Sequence, residues 1–284
     1  MNIVVASLHV YPIKSLGGFS VNSARITDRG FEHDRRWMLV DANGRFITQR
    51  EVPTMACLHC TPITNGLRVT DVRDGDHIDV PLGLHVGARS RARVFDDEVD
   101  VQHSPTNVSA WFAEKLNVTC SLVFMPDRAQ RPVDTRYATG LTSLSDGFPY
   151  VVLSQASLDD LNARGVSWSH TRMTPVRGPG QAWAHVPMDR FRPNIVIKGG
   201  SAFQEDGWKE IRIGSARFAL VKPCGRCVIP TTDQLTGERS KEPTRTLATY
   251  RRRPGTEGEV KVDFGMNAMA VSGDVVHVGD LVTA

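Results

Sequence analysis

The feature that most constrains this chain is the period of its hydrophobic pattern. Apolar residues alternate with polar ones in short runs, and turn-forming pairs close the runs, which is strand chemistry. Val4 to Tyr11 alternates from the start. Trp37 to Asp41 and Arg45 to Gln49 flank Asn43-Gly44, so they read as a hairpin. Met55 to Thr61 with Gly66 to Val72, then His77 to Val80, Arg91 to Phe95 and Ser121 to Met125, extend the pattern. Asn194 to Lys198, Ile211 to Ile213, Arg217 to Lys222, Met269 to Ser272 and Val275 to Val282 repeat it later. Two segments have helical spacing. Asn107 to Leu116 carries Trp111, Phe112 and Leu116, with Ser104-Pro105 as a start signal. Ser154 to Arg164 carries Leu158 and Leu161, with Gly165 where a helix C′ glycine belongs.

The pattern predicts a mainly β (α+β) fold: two β-barrel-like domains with a few short helices. At 284 residues the chain is long enough for two modest cores. The polar, proline-containing stretch Pro126 to Asp134 suits a boundary, giving domains 1–125 and 126–284. Val166 to Val186 is polar and long for a connection, so it reads as a functional or mobile loop.

A formal charge of +3 is too balanced for a nucleic-acid binder defined by its field. No run approaches the roughly 18 apolar residues of a membrane span, and the apolar start lacks a basic leader, so we expect a cytoplasmic monomer with no membrane attachment. Five cysteines, an odd number with no leader, argue for reduced thiols.

Four of the five form CxxC pairs, Cys57-Leu58-His59-Cys60 and Cys224-Gly225-Arg226-Cys227. A shared zinc site is disfavoured because compact zinc ribbons keep their pairs within about 15–20 residues. The first pair lies in a strand pattern, where residues three apart face opposite ways, and reads as packing. The second follows Lys222-Pro223, and Gly225 gives the turn its freedom. Arg226 stands between the thiols, and positive charge beside a thiol favours the thiolate. A thiolate suits a soft or heavy redox metal. Pro230 disfavours a thioredoxin-like helix after the motif. Packing thiols and a zinc half-site remain open on this local evidence.

Several separated motifs then occur in order: Tyr11-Pro12-Ile13-Lys14-Ser15, Asp34-Arg35-Arg36-Trp37, Thr48-Gln49-Arg50, Ser145-Asp146-Gly147-Phe148-Pro149, Leu153-Ser154-Gln155, Phe191-Arg192-Pro193-Asn194, Cys224-Gly225-Arg226-Cys227, Thr231-Thr232-Asp233 and Lys241-Glu242-Pro243. Together they resemble the MOSC family, in the branch that holds the mitochondrial amidoxime-reducing component and the bacterial YcbX-like proteins. The resemblance covers almost the whole chain. It implies a cofactor cleft between an N-terminal β-barrel domain and a MOSC domain, with a molybdenum–molybdopterin cofactor whose protein metal ligand is Cys227. It implies cofactor-phosphate contacts from Lys14, Ser15, Arg35, Arg192 and Asn194, with Arg50 as a further candidate. Asp146 is a candidate proton relay, although Asp-Gly is also turn chemistry. Thr231 bonds either a metal-bound oxygen or local backbone. Trp37, Phe148 and Phe191 read as core aromatics. Pro230 departs from a threonine found in some relatives.

The implied function is reduction of N-hydroxylated small molecules, such as amidoximes, hydroxylamines and N-hydroxylated bases. No ferredoxin cluster is expected in this chain, so electrons come from a separate flavoprotein reductase or ferredoxin-like donor. The alternatives are a molybdenum cofactor carrier and a sulfur-transfer protein bearing a persulfide on Cys227.

Overall fold

The computed structural model describes residues 2–82, 87–171, 185–255 and 258–284, with side chains from 166 to 171 excepted. The chain forms two compact units. One comprises His9–Pro149 with Thr232–Arg239; the other comprises Met1–Leu8, Tyr150–Thr231 and Ser240–Ala284. Both are mainly β, with barrel-like sheets, as the hydrophobic period requires.

In the first unit, Trp37–Val40 pairs with Ser121–Phe124, which pairs with Asp97–His103 and then Arg89–Val94, all antiparallel. The first strand is buried on both faces. Trp37 and Leu39 enter a core with Ile13, Leu58, Leu67 and Phe112. Met38 and Val40 enter another with Val94, Val101, Val123 and Leu144. The alternation of side chains along a strand makes this two-sided burial possible. Leu58–Ile63, Gly66–Asp71 and His77–Pro81 form a three-stranded antiparallel sheet. Helix α1, Thr106–Leu116, buries Val108, Phe112 and Leu116, positions 4 and 8 residues apart on one face. Trp111 is only partly buried, and its indole N–H reaches the Asp76 carboxylate at 3.0 Å.

In the second unit the sheet runs, neighbour by neighbour, through Val282–Thr283, Glu210–Ile213, Ala216–Gly225, Val260–Ser272, Tyr150–Ser154, Ile195–Lys198 and the Val4–Leu8 part of the first strand. Tyr150–Ser154 and Ile195–Lys198 are parallel, which requires a long crossover, and α2 (Gln155–Thr171) lies in it. Leu158 and Leu161 of α2 pack with Phe191, Leu247 and Phe264. The buried Glu205 carboxylate accepts Ser154 N–H at 3.2 Å and the Ser157 hydroxyl at 2.8 Å, fixing the start of α2.

Four local expectations are corrected. The Asn43-Gly44 turn forms, but Arg45 to Gln49 is not a strand; it makes two isolated bridges, Phe46 to Val40 and Arg45 to Arg93, and Phe46 N–H donates to Arg93 O rather than back across the hairpin. Pro53–Cys57 is a 3-10 turn rather than part of a strand, since Pro53 starts a helical turn readily. α2 runs past Gly165 to Thr171; an interior glycine costs about 1 kcal/mol and does not by itself stop a helix. The strand expected from Met269 begins at Val260. Of the loop expected over Val166 to Val186, residues 172–184 lie outside the described residues. Among the described residues, no helix is long and apolar enough to cross a membrane.

Candidate functional site

The second cysteine pair sits where two long strands lose register. In the ladder between Ala216–Gly225 and Val260–Ser272, Pro223 faces Met266 but Gly225 faces Asp263. Phe264 and Gly265 therefore oppose Cys224 alone, a β-bulge of the kind that re-aims a strand beside a site. Gly265 has φ +77°, and a Cβ there would stand 2.8 Å from the Val152 carbonyl oxygen. Only glycine meets both conditions. Gly265→Ala is expected to cost about 1–3 kcal/mol through strain and displaced backbone, read as a lower urea midpoint at constant m-value. An unchanged midpoint would show that the bulge tolerates a side chain.

Arg226 then staples the loop. Its N–H donates to Val262 O at 2.7 Å. Nε and Nη2 donate to Phe264 O at 2.8 and 2.5 Å, and Nη1 donates to Phe191 O at 2.8 Å. The guanidinium also lies 5.3 Å from the Phe191 ring centre. The sequence placed Arg226 as a cation serving the thiols; the structure gives its donors to backbone carbonyls. Cys227 follows, partly exposed, with its sulfur accepting Ile229 N–H at 3.5 Å. Cys57, Cys60 and Cys120 differ: all three are buried, and burial pushes the Cys57 thiol up and the Cys120 thiol up to about 11. Thr231 is buried in the 3-10 turn Ile229–Thr231, and its hydroxyl donates to Val228 O at 2.7 Å. Of its two expected roles, the structure displays the backbone cap.

Arg192 lies in the same unit, closing the 3-10 turn Met188–Phe191 with φ +52°. Asn194 is fully buried. Its N–H donates to Val151 O at 2.9 Å, and its Oδ1 accepts Val151 N–H at 3.3 Å, tying it to the parallel strand Tyr150–Ser154.

The other expected residues lie in the first unit, where two of them, Lys14 and Arg50, meet the Asp146 carboxylate. Lys14 is held by its N–H to Trp37 O at 2.7 Å, beside the Ile13–Trp37 bridge. Its ammonium meets Asp146 Oδ1, and Arg50 Nη2 meets Asp146 Oδ2 at 2.5 Å. Phe46 and Phe95 wall the ammonium at 5.4 and 5.6 Å from their ring centres. Ser15, next in sequence, has φ +69°, and its carbonyl accepts Gln49 Nε2 at 2.5 Å. Arg35 has φ +49°; its N–H donates to Tyr11 O at 2.8 Å, its Nη1 donates to Asp34 at 2.6 Å, and its guanidinium stacks 4.7 Å from the Tyr11 ring centre. The Asp34 carboxylate also accepts Tyr11 N–H at 2.8 Å, locking the two motifs together.

The sequence missed Arg131. It is buried, donates Nη1 to Ser143 O at 3.0 Å and Ser145 O at 2.5 Å, and reaches Asp146 O at 3.5 Å. Its Nε donates to Asp97 at 2.8 Å. Burial works against ionisation of Asp146, but Lys14 and Arg50 outweigh it and hold the carboxyl well below the usual range. Burial lowers Lys14 most, with help from Arg131 and Arg50, and Asp146 opposes; the net result is about 8.

Comparison with known proteins agrees with these motifs. Residues 2–119 match the MOSC N-terminal beta barrel domain, and residues 140–283 match the MOSC domain. The mouse mitochondrial amidoxime-reducing component 1 is 30% identical over 97% of this chain and 80% of its own length. Its human counterpart is 28% identical over 97% and 81%. The rice molybdenum cofactor sulfurase is 32% identical over 93% of this chain; the match spans only 32% of that longer protein. By these matches the chain belongs to the MOSC family.

Proposed function

We propose that this protein binds a molybdenum–molybdopterin cofactor through Cys227 and reduces N-hydroxylated small molecules. The observation that carries the reading is backbone strain at the assigned residues. Ser15, Arg35 and Arg192 hold φ values of +69°, +49° and +52°. Side chains avoid this region at about 1–2 kcal/mol each, and such strain gathers where a ligand dictates geometry.

The donor set fits the cofactor. A partly exposed thiol suits a soft, heavy metal, and arginine forks with a lysine suit a phosphate. Cys227 holds the metal. Within the unit of Cys227, Arg192 serves the anionic part, with Asn194 and Thr231 shaping the backbone; Lys14, Ser15, Arg35 and Arg50, in the other unit, offer phosphate donors of their own. When bound, the molybdenum centre supplies the two-electron chemistry that breaks an N–O bond.

Asp146 is the proton-handling group of this reading. While Lys14 and Arg50 face it, its carboxylate stays ionised. A phosphate that draws those cations raises its proton affinity, so Asp146 Oδ takes up a proton and can return it to a departing oxygen.

Lys14 makes anion binding pH-dependent. Its ammonium is lost as pH rises through about 8, so cofactor or phosphate affinity is expected to fall above that pH. Stability runs the other way. The unfolded chain keeps the proton up to about 10.4, so it binds more protons than the native state between about 8 and 10.4 and stability rises across that window. Lys14→Arg is expected to abolish the fall in affinity, measured by calorimetry of phosphate binding from pH 6.5 to 9.5. A parallel fall in both proteins assigns it elsewhere.

The functional test is protein made in a host with intact molybdopterin synthesis. Stoichiometric molybdenum, and benzamidoxime reduction by a chemical reductant, are the expected results. Similarity to the sulfurases carries the rival readings: a Cys227 persulfide without molybdenum supports sulfur transfer, and molybdenum without turnover supports a carrier.

A further inference from the structure

Glu205 lies in the 3-10 turn Gln204–Gly207 of the second unit with 0% of its surface exposed. Its Oε1 accepts two neutral donors, Ser154 N–H and the Ser157 hydroxyl. Its Oε2 is buried too and has no hydrogen-bond partner among the described residues. The next residue carries a second such oxygen, Asp206 Oδ1. An ionised carboxylate held this way lacks the pairing that buried charges need, whereas a neutral carboxyl has only one O–H to place.

The ionisable groups of the surrounding elements pair elsewhere. Arg251 meets Asp206 at 2.6 Å and donates Nε to Asp263 O at 3.1 Å. Arg253 pairs with Asp263 at 2.5 Å, and Arg164 with Asp160 at 2.6 Å. Lys198 and Lys209 are exposed. Tyr250 stays neutral, its hydroxyl pushed up to about 12 chiefly by burial. Burial therefore raises the proton affinity of Glu205. Hydrogen bonds from its own N–H, Ser157 and Ser154 oppose the rise without cancelling it, and the Asp206 charge adds to it.

The carboxyl is wired to the loop that carries Cys227. The Ser157 hydroxyl that donates to Glu205 also accepts Phe203 N–H at 2.8 Å. Phe203 holds φ +60°, a conformation that persists only where neighbours impose it. The Arg251 guanidinium stacks 4.4 Å from its ring centre, and the ring meets Phe264 edge-on at 6.2 Å. Phe264 packs on Phe191 with ring centres 4.3 Å apart. The carbonyls of Phe264 and Phe191 are the acceptors of Arg226, which precedes Cys227. Glu205, Ser157, Phe203, Phe264 and Arg226 form one chain of contacts inside the second unit.

We propose that Glu205 is a buried proton switch: protonated, it holds Phe203 and through it the Arg226 staple; ionised, it opens the turn Gln204–Gly207 and loosens that staple. In the unfolded chain the carboxyl gives up its proton near about 4.3. The native state keeps the proton to higher pH, so it binds more protons than the unfolded state from there up to the folded value. Stability falls as pH rises across that window and is level above it. Local opening relieves the cost, because an opened turn returns the carboxylate to water.

The test compares the wild type with Glu205→Gln, which keeps a carbonyl for Ser154 and Ser157 and cannot ionise. Urea melts between pH 4 and 8 give the ratio of the two folding constants, in which groups common to both proteins cancel. That ratio, wild type over variant, is expected to be level below about 4.3 and to fall about tenfold or more by pH 8. Amide hydrogen exchange at Phe203 and Arg226, corrected for base catalysis, should show protection decreasing over the same range in the wild type and constant in the variant. A ratio independent of pH would overturn the proposal. A falling ratio with constant protection at Arg226 would overturn the link to the Cys227 loop. Should the variant fail to fold, the wild type still decides. Carbon-13 NMR titration of the Glu205 carboxyl with a midpoint at about 4.3 overturns the switch, and a raised midpoint with parallel loss of protection at Phe203 and Arg226 sustains it.

Discussion

Cys227→Ala is expected to empty the protein of molybdenum and abolish amidoxime reduction, on the order of a thousandfold or more, while leaving the fold intact. The chemical argument is the softness of the ligand. Alanine offers no donor and serine a hard alcohol, and neither replaces a thiolate on a heavy redox metal. A thousandfold corresponds to about 4 kcal/mol of lost transition-state stabilisation. The structural cost is small, because the side chain is partly exposed and its sulfur accepts a long, 3.5 Å N–H from Ile229. Loss of that contact costs under about 1 kcal/mol. Metal analysis, activity with a chemical reductant and a urea melt measure the three effects separately. Full molybdenum with full activity in Cys227→Ala would eliminate the mechanism. Cys224→Ala provides the contrast: Cys224 lies within the bulged strand and is expected to keep molybdenum.

What could be read from the sequence was what lies close along the chain. The two-residue period announced the strands, and Cys224 to Cys227 identified the loop because its four residues are contiguous. Lys14, Arg50 and Asp146 were each assigned from their motifs, although the sequence did not reveal that they meet one another. The failures share one cause, dependence on distant partners. Arg45 to Gln49 looks like a hairpin arm until Arg93, far along the chain, bridges Arg45 and accepts Phe46 N–H. The strand expected from Met269 starts at Val260 and carries Gly265, whose need for glycine comes from the register slip beside Cys224. Arg226 sits beside two thiols in sequence, yet its donors reach Phe191 and Phe264, each more than 30 residues away. Ser15, Arg35 and Arg192 carry no local sign of positive φ, because glycine or asparagine is the usual marker of that conformation.

Arg131→Met is expected to disable the site without touching any group assigned to the cofactor. Arg131 lies in the polar stretch that reads from sequence as a boundary, yet its guanidinium is only 4% exposed. Its Nη1 is shared between Ser143 O and Ser145 O, so one donor fixes the turn that presents Asp146. Methionine fills similar space but leaves those buried carbonyls unpaired, at about 1–3 kcal/mol each, so a loss of about 3 kcal/mol is expected. The Asp97 partner adds little, since its side chain is half exposed. A positioning role makes a second demand that a merely structural one does not. Arg131 also helps lower Lys14, so its removal should move the pH at which anion affinity falls to above about 8. Arg131→Lys keeps the charge but lacks the fork that reaches Asp97, the two serine carbonyls and Asp146 O at once. It should retain the midpoint of that pH profile while losing part of the stability. If Met and Lys variants lose stability equally and leave the pH profile of phosphate binding unchanged, Arg131 supports the fold and does not tune the cations around Asp146.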